Sequence, residues 1–265
     1  MRDMGETLRD TFDRVFPNRR RSPRRGRTDR FAIGDRTITV YLPPGYDDRA
    51  DRRYPVLYMQ DGQNLFEPER AFGGNSWRID EAANRAIGDR KAKPMIIAGI
   101  DHAGEGRIEE YTPTRDESRN AGGGADKYAQ FVLDQVKPAI DERYRSNGEA
   151  ATGGSSLGGL VALYLALRHP DVFSSAAVMS PSIWWHDQSV LQFVDAVEGN
   201  RPRLWIDIGG REGAEALAGA RALRERLQAR GWSDFHYEED RRADHSERSW
   251  AKRIPRVLEF LFRPV

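Results

Sequence analysis

From Gly154 to Gly158 the chain reads Gly-Ser-Ser-Leu-Gly, a GxSxG pattern that demands a particular local fold. A serine held this way sits on a strained strand-to-helix turn. A Cβ on either flanking residue would collide with neighbouring backbone, so glycine is wanted on both sides. The pattern therefore needs a strand before it and a helix after it. Leu157 to Leu167 supplies the helix, with Leu160, Val161, Leu163, Leu165 and Leu167 apolar on nearly every side, which predicts that it is buried. Ala150 to Gly153 supplies the strand. A phosphate-cradling loop is the competing reading, but no Lys-Ser or Lys-Thr follows the glycines. Ser156 is thus expected at the head of a helix, whose free N–H groups and positive dipole end face any charge that develops on a bound carbonyl.

The remainder of the chain has an alternating rhythm. Phe31 to Ile33 and Thr37 to Leu42 read as a hairpin, and Val56 to Met59 as a compact strand followed by a polar, glycine-bearing loop from Gln60 to Phe66. Trp77 to Ile87 reads as a helix and Met95 to Ile100 as an apolar strand of the parallel-sheet kind. The stretch from Asp101 to Gly124 lacks periodicity and reads as a long functional loop. Helical spacing resumes over Asp126 to Tyr144. Then come a strand at Ser174 to Met179, a helix at Asp187 to Val197, a strand at Arg203 to Ile208, a helix at Ala214 to Arg230, a strand at Asp234 to Glu238 and a closing helix at Ser249 to Phe262. Strands alternating with helices predict an α/β chain with a mostly parallel central sheet and helices on both faces.

With 265 residues, one such domain over residues 31–265 is expected, preceded by a basic tail over 1–30. The tail holds the run Asn18 to Arg27 after a short amphipathic piece carrying Leu8, Phe12, Val15 and Phe16, and reads as a solvated tail or linker, with contact to a membrane surface or nucleic acid as the minority reading. Forty-two Lys and Arg against 41 Asp and Glu leave the chain near neutral, so nothing in the charge balance points to nucleic acid. There is no cysteine, hence no disulfide and no thiol chemistry. Neither a bilayer-spanning stretch nor a signal-peptide core is visible, and a cytoplasmic location is the expectation. No metal-ligand spacing and no GxGxxG fingerprint appears, so no cofactor is expected.

A serine hydroxyl needs a base to take its proton. Of five histidines, His169 reads as a helix cap, His236 lies in a strand, His102 in the long loop and His186 after a tryptophan pair. His245 alone stands between the last strand and the last helix, where this architecture places its base. The orienting acid should fall between Ser156 and His245. Glu212, just beyond the strand Arg203 to Ile208, is favoured, and Asp207 inside that strand is the alternative. The oxyanion formed on attack needs backbone donors: the N–H of Leu157 by position, and the N–H of Gln63 from the loop after Val56 to Met59. Trp184 and Trp185 follow the strand next to Ser156, where they either stack on a sugar or phenolic ring or simply pack. Arg107, Glu110 and Tyr111 offer either a polar wall over the site or an internal ion pair.

Several segments together resemble one family: DGQNLF (61–66), NSWRIDE (75–81), PMIIAGID (94–101), RIEEYTP (107–113), GGSSLGGL (153–160), HPDVF (169–173), SPSIWW (180–185) and DHSERSW (244–250). They are similar to the esterase family of α/β-hydrolases that includes enterochelin, feruloyl and acetyl-xylan esterases, S-formylglutathione hydrolases and the antigen 85 mycolyltransferases. The resemblance implies the α/β-hydrolase fold and a cofactor-free serine hydrolase of carboxylic esters, with nucleophile Ser156, base His245 and acid Glu212. Its substrate would be a small carbohydrate, phenolic or siderophore-type ester. Acyl transfer to an alcohol and noncatalytic binding are the other readings. Asp61-Gly62 stands where feruloyl esterases commonly carry His-Gly, and Glu212 where they carry Asp; the DGQNLF variant more closely resembles the siderophore-esterase-like and uncharacterised bacterial branches.

Overall fold

The computed structural model describes residues 25–264. The amphipathic piece and most of the basic run lie outside the described residues. Eight strands form one sheet: β1 (Arg27–Ile33), β2 (Arg36–Leu42), β3 (Tyr54–Gln60), β4 (Ile96–Ile100), β5 (Ser146–Ser155), β6 (Phe173–Met179), β7 (Arg203–Gly209) and β8 (Phe235–Asp240). They lie in the order β1-β2-β4-β3-β5-β6-β7-β8. β1 and β2 pair antiparallel, as do β2 and β4, and every other pairing is parallel.

β1 begins at Arg27, so four residues assigned to the tail belong to the sheet. At an edge strand the outward side chains can be charged, and Arg27 and Arg30 form exposed ion pairs with Asp47 and Glu67. Charges that cover an edge read in sequence as a linker.

Helices cover both faces. α1 (Ile79–Gly88) and the final helix α8 (Glu247–Leu261) share one core with Leu57, Met59, Ile97 and Met179, while α5 (Leu157–Arg168) lies in the core on the opposite face with Val56, Tyr58, Val178 and Ile206. Leu160, Val161, Leu163 and Leu165 are all fully buried, and truncating one of these leucines to alanine would cost about 2–5 kcal/mol. The helix expected over Asp126 to Tyr144 is broken by a π-helical turn at Val132–Val136. Pro138 comes one residue later, after Lys137; it lacks the N–H that a continuous α-helix would use.

Two further expectations are corrected. The helix placed at Asp187 to Val197 shrinks to α6 (Leu191–Asp195), because His186, Asp187 and Gln188 all take positive φ (44, 51 and 60°) and cannot propagate it. The loop Asp101 to Gly124 contains the short helix α2 (Arg107–Tyr111) and a ribbon pairing Arg115–Asp116 with Ala121–Gly122.

Candidate active site

Every residue of the cluster around Ser156 comes from a strand end or the turn after it, as expected where a parallel sheet ends in a crevice. Ser156 follows β5 with φ 58° and ψ −123°, a strained turn. It is sustained by glycine: a Cβ on Gly154 would come within 2.6 Å of the Gly158 backbone. The Ser156 hydroxyl lies 3.0 Å from His245 Nε2, and His245 Nδ1 lies 2.7 Å from Glu212 Oε2. Ser182 Oγ is 3.4 Å from Ser156 Oγ.

His245 is half-exposed, whereas the Glu212 side chain is 1% exposed. Burial works to raise the pKa of Glu212, but hydrogen bonds from His245, Ser180 and the Gly209 N–H outweigh it and hold the carboxyl below its ordinary range. The Ser180 hydroxyl donates to Glu212 Oε1 at 2.6 Å and Gly209 N–H donates at 2.7 Å. Of the two candidate acids, Glu212 meets the imidazole. Asp207 is fully buried behind it, accepting from Trp205 Nε1 at 2.8 Å and from the Ser180 N–H at 3.2 Å, with Arg253 at 3.3 Å. Burial pushes Asp207 up to about 6.

The loop after β3 turns through Asp61, whose φ of 57° is left-handed, into a 3-10 turn over Gly62–Asn64. Gly62 is fixed by close approach to β4, since a Cβ there would meet the Gly99 carbonyl carbon at 2.5 Å. Gln63 and Leu157 each follow such a turn, at the head of a helical element. Arg107 grips Asp61 with two bonds of 2.7 Å, and Asp61 N–H donates to the Tyr111 hydroxyl at 3.2 Å.

A cavity of about 620 Å³ opens at Ser156. Gln63, Phe72, His102, Arg107, Glu247 and Trp250 are among the residues lining it. Of the five residues offered for the substrate site, Trp184, Trp185, Arg107, Glu110 and Tyr111, Arg107 lies on the cavity. Tyr111 does not: it is fully buried beneath Asp61, and burial raises its hydroxyl well above the ordinary value. Trp184 and Trp185 do not line it either. Trp185 is 3% exposed with its Nε1 bound to the Thr114 carbonyl, and Arg119 covers Trp184. The pair packs against the 112–122 excursion, Trp185 on Thr114 and Gly122 and Trp184 under Arg119. Glu110 pairs with Arg36 at 2.7 Å. His169 caps α5, with burial lowering its basicity, and His236 stacks on Trp205. His102 Nδ1 accepts from Gly104 N–H at 2.8 Å, and His186 is exposed away from the cavity.

Sequence reasoning missed Glu247, Trp250, Arg253, Ser180 and Phe72. Glu247 accepts from Trp77 Nε1 and, at 3.2 Å, from Asn64 Nδ2; burial pushes it up to about 7. The Trp250 ring stands edge-on to His245 at 4.9 Å. A signal for Arg253 existed: it lies three residues after Trp250 and beside Ile254 on the apolar stripe of α8, where a charge is out of place.

The model of the family described as "Putative esterase" matches residues 32–261. The uncharacterized protein YbbA of Bacillus subtilis is 24% identical over 255 residues, which are 90% of this chain and 97% of YbbA. The siderophore triacetylfusarinine C esterase of Aspergillus fumigatus is 30% identical over 165 residues, 58% of this chain. The match spans 53% of that longer protein. Among solved structures, siderophore hydrolase EstA from Aspergillus nidulans superposes with a TM-score of 0.72 at 23% identity, covering 90% of this chain and 94% of EstA.

Proposed function

The chain belongs to the Putative esterase family of α/β-hydrolases, and on that premise we propose that it hydrolyses carboxylic esters through an acyl-serine intermediate at Ser156. The observation that carries this reading is the continuous contact from Ser156 Oγ through His245 to the buried Glu212, at 3.0 and 2.7 Å. His245 Nε2 takes the hydroxyl proton as Ser156 Oγ attacks the ester carbonyl, and Glu212 steadies the imidazolium that results. The backbone N–H groups of Leu157 and Gln63 receive the oxyanion. On collapse the imidazolium returns its proton to the departing alcohol, and water, deprotonated by the same imidazole, releases the acid. The chemistry is complete with these groups, and no cofactor enters any step.

For the substrate we favour a small siderophore-type, phenolic or carbohydrate ester. The relatives whose names specify a substrate, together with the aromatic ring of Phe72 and the guanidinium of Arg107 on the cavity, support it. The test is an activity screen over short-chain aryl esters, feruloyl and acetyl sugars and a triserine lactone, run beside Ser156→Ala. At least one ester should turn over about 10⁴-fold faster with the wild type. Equal rates on every ester would refute the reading. Among the described residues no helix is long and apolar enough to cross a membrane.

A further inference from the structure

Ser180 directly follows β6 with φ 40°, a backbone state that L residues rarely adopt, and it is 1% exposed. Its oxygen receives Trp250 Nε1 at 2.9 Å and Arg253 Nη2 at 2.7 Å, and lies 2.6 Å from Glu212 Oε1. A hydroxyl has two lone pairs and one proton. An indole N–H and a guanidinium can only donate, so both lone pairs are occupied and the proton of Ser180 has one direction left, toward Glu212. That carboxylate oxygen also takes the Gly209 N–H at 2.7 Å. With two donors on Oε1, no acid proton fits there. Only Oε2 remains, and it faces His245 Nδ1 at 2.7 Å.

We propose that Ser180, with its hydroxyl aligned by Trp250 and Arg253, is a positioning residue that holds Glu212 as an acceptor and thereby fixes His245 as the Nδ1–H tautomer. The Nε2 lone pair is then the one that meets Ser156. This inference rests on the catalytic reading of Ser156, His245 and Glu212 given above. Asp207 takes its place in the same arrangement. Arg253 is fully buried, its Nε and Nη1 have no hydrogen-bond partner among the described residues, and Asp207 at 3.3 Å and Glu212 at 3.9 Å are the carboxylates that meet its charge. Asp207, itself tied to Trp205 and the Ser180 N–H, anchors the guanidinium against the Ser180 hydroxyl. The second candidate acid thus acts two steps behind the first.

The test uses two variants and one spectroscopic reading. Ser180→Ala removes the hydroxyl, and Ser180→Gly removes it while accommodating the positive φ, so one of them keeps the backbone unstrained. Both should lower kcat about 10- to 100-fold, the worth of one hydrogen bond to a charged group, with KM within about 3-fold of wild type. Histidine ¹⁵N resonances, with His245 assigned by its loss in His245→Asn, should show Nδ1–H in the wild type and a mixture of tautomers in both variants. Folded variants with wild-type kcat and an unmixed tautomer would overturn the proposal, as would an Nε2–H ring in the wild type. The tautomer is read without turnover. A wild type no faster than Ser156→Ala would therefore defeat the esterase reading, and a wrong tautomer this proposal, as separate results.

Discussion

The floor and the rim of the cavity are built on opposite terms. On the floor, Glu212 is 1% exposed with three donors on its two oxygens, and Gly154 and Gly158 touch so closely that no side chain fits between them. At the rim, Phe72 is 80% exposed on a turn whose next two residues, Gly73 and Gly74, both take positive φ. Its backbone N–H is tied to Asn64 Oδ1 at 2.9 Å, yet its ring lies open to solvent at the mouth. A floor of this kind holds reacting atoms in one geometry, while an exposed ring can adapt to what it meets. The contrast separates how the bond is broken from which molecule is taken.

The contrast is broken most severely at the floor. Glu212→Gln keeps the size of the side chain but offers an amide where His245 Nδ1 needs an anionic acceptor, and kcat should fall about 10³-fold or more with KM little changed. Steady-state rates on any accepted ester check this, and near-normal turnover would move the acid to another residue. At the rim the effect should appear in KM instead. Phe72→Ala should raise KM for aryl esters about 5- to 10-fold and leave acetyl esters nearly unaffected, since what is lost is ring contact. An equal effect on both substrate types would show that the ring does not select.

Gln63 lies between the two regions, with a side chain on the cavity and a backbone N–H assigned to the oxyanion. Gln63→Ala keeps that N–H, so its kcat should stay within about 3-fold of wild type; a loss comparable to that of Ser156→Ala would contradict the backbone assignment. The smallest effect concerns Glu247, raised by burial to about 7. The native protein holds this proton from the ordinary carboxylate value up to about pH 7, where the unfolded chain has released it. Its contribution is complete below the unfolded value and lost as pH rises through 7. Urea unfolding at pH 5 and pH 8 should show the wild type losing on the order of 1 kcal/mol more than Glu247→Gln over that interval, after allowance for solvent screening.

What could be read in the sequence follows the same division. The elbow was legible because Gly154, Ser156 and Gly158 are imposed by backbone collisions, and His245 because one histidine stood between the last strand and helix. Glu212 was harder, since position alone left Asp207 open; the structure separates them by direction, one carboxylate facing the imidazole and the other Trp205 and Arg253. For Trp184 and Trp185 the sequence left stacking on substrate and packing both open, because adjacency to a strand end does not say where a ring points; Thr114 and Arg119, distant in the chain, hold the pair against the excursion. The early start of β1 was hidden by charges that an edge strand tolerates and a buried strand does not. Ser180 carried no signal of its own: the role proposed for it arises from three partners distant in the chain, Glu212, Trp250 and Arg253, meeting at one oxygen.

The central claim is that Ser156 becomes acylated because His245 removes its proton. Incubating the protein with a fluorophosphonate and mapping the adduct by peptide mass spectrometry tests it directly. One adduct per chain is expected, on Ser156, formed at least about 10³-fold more slowly in His245→Ala. An adduct on another residue, or labelling of Ser156 at an unchanged rate without the imidazole, would contradict it.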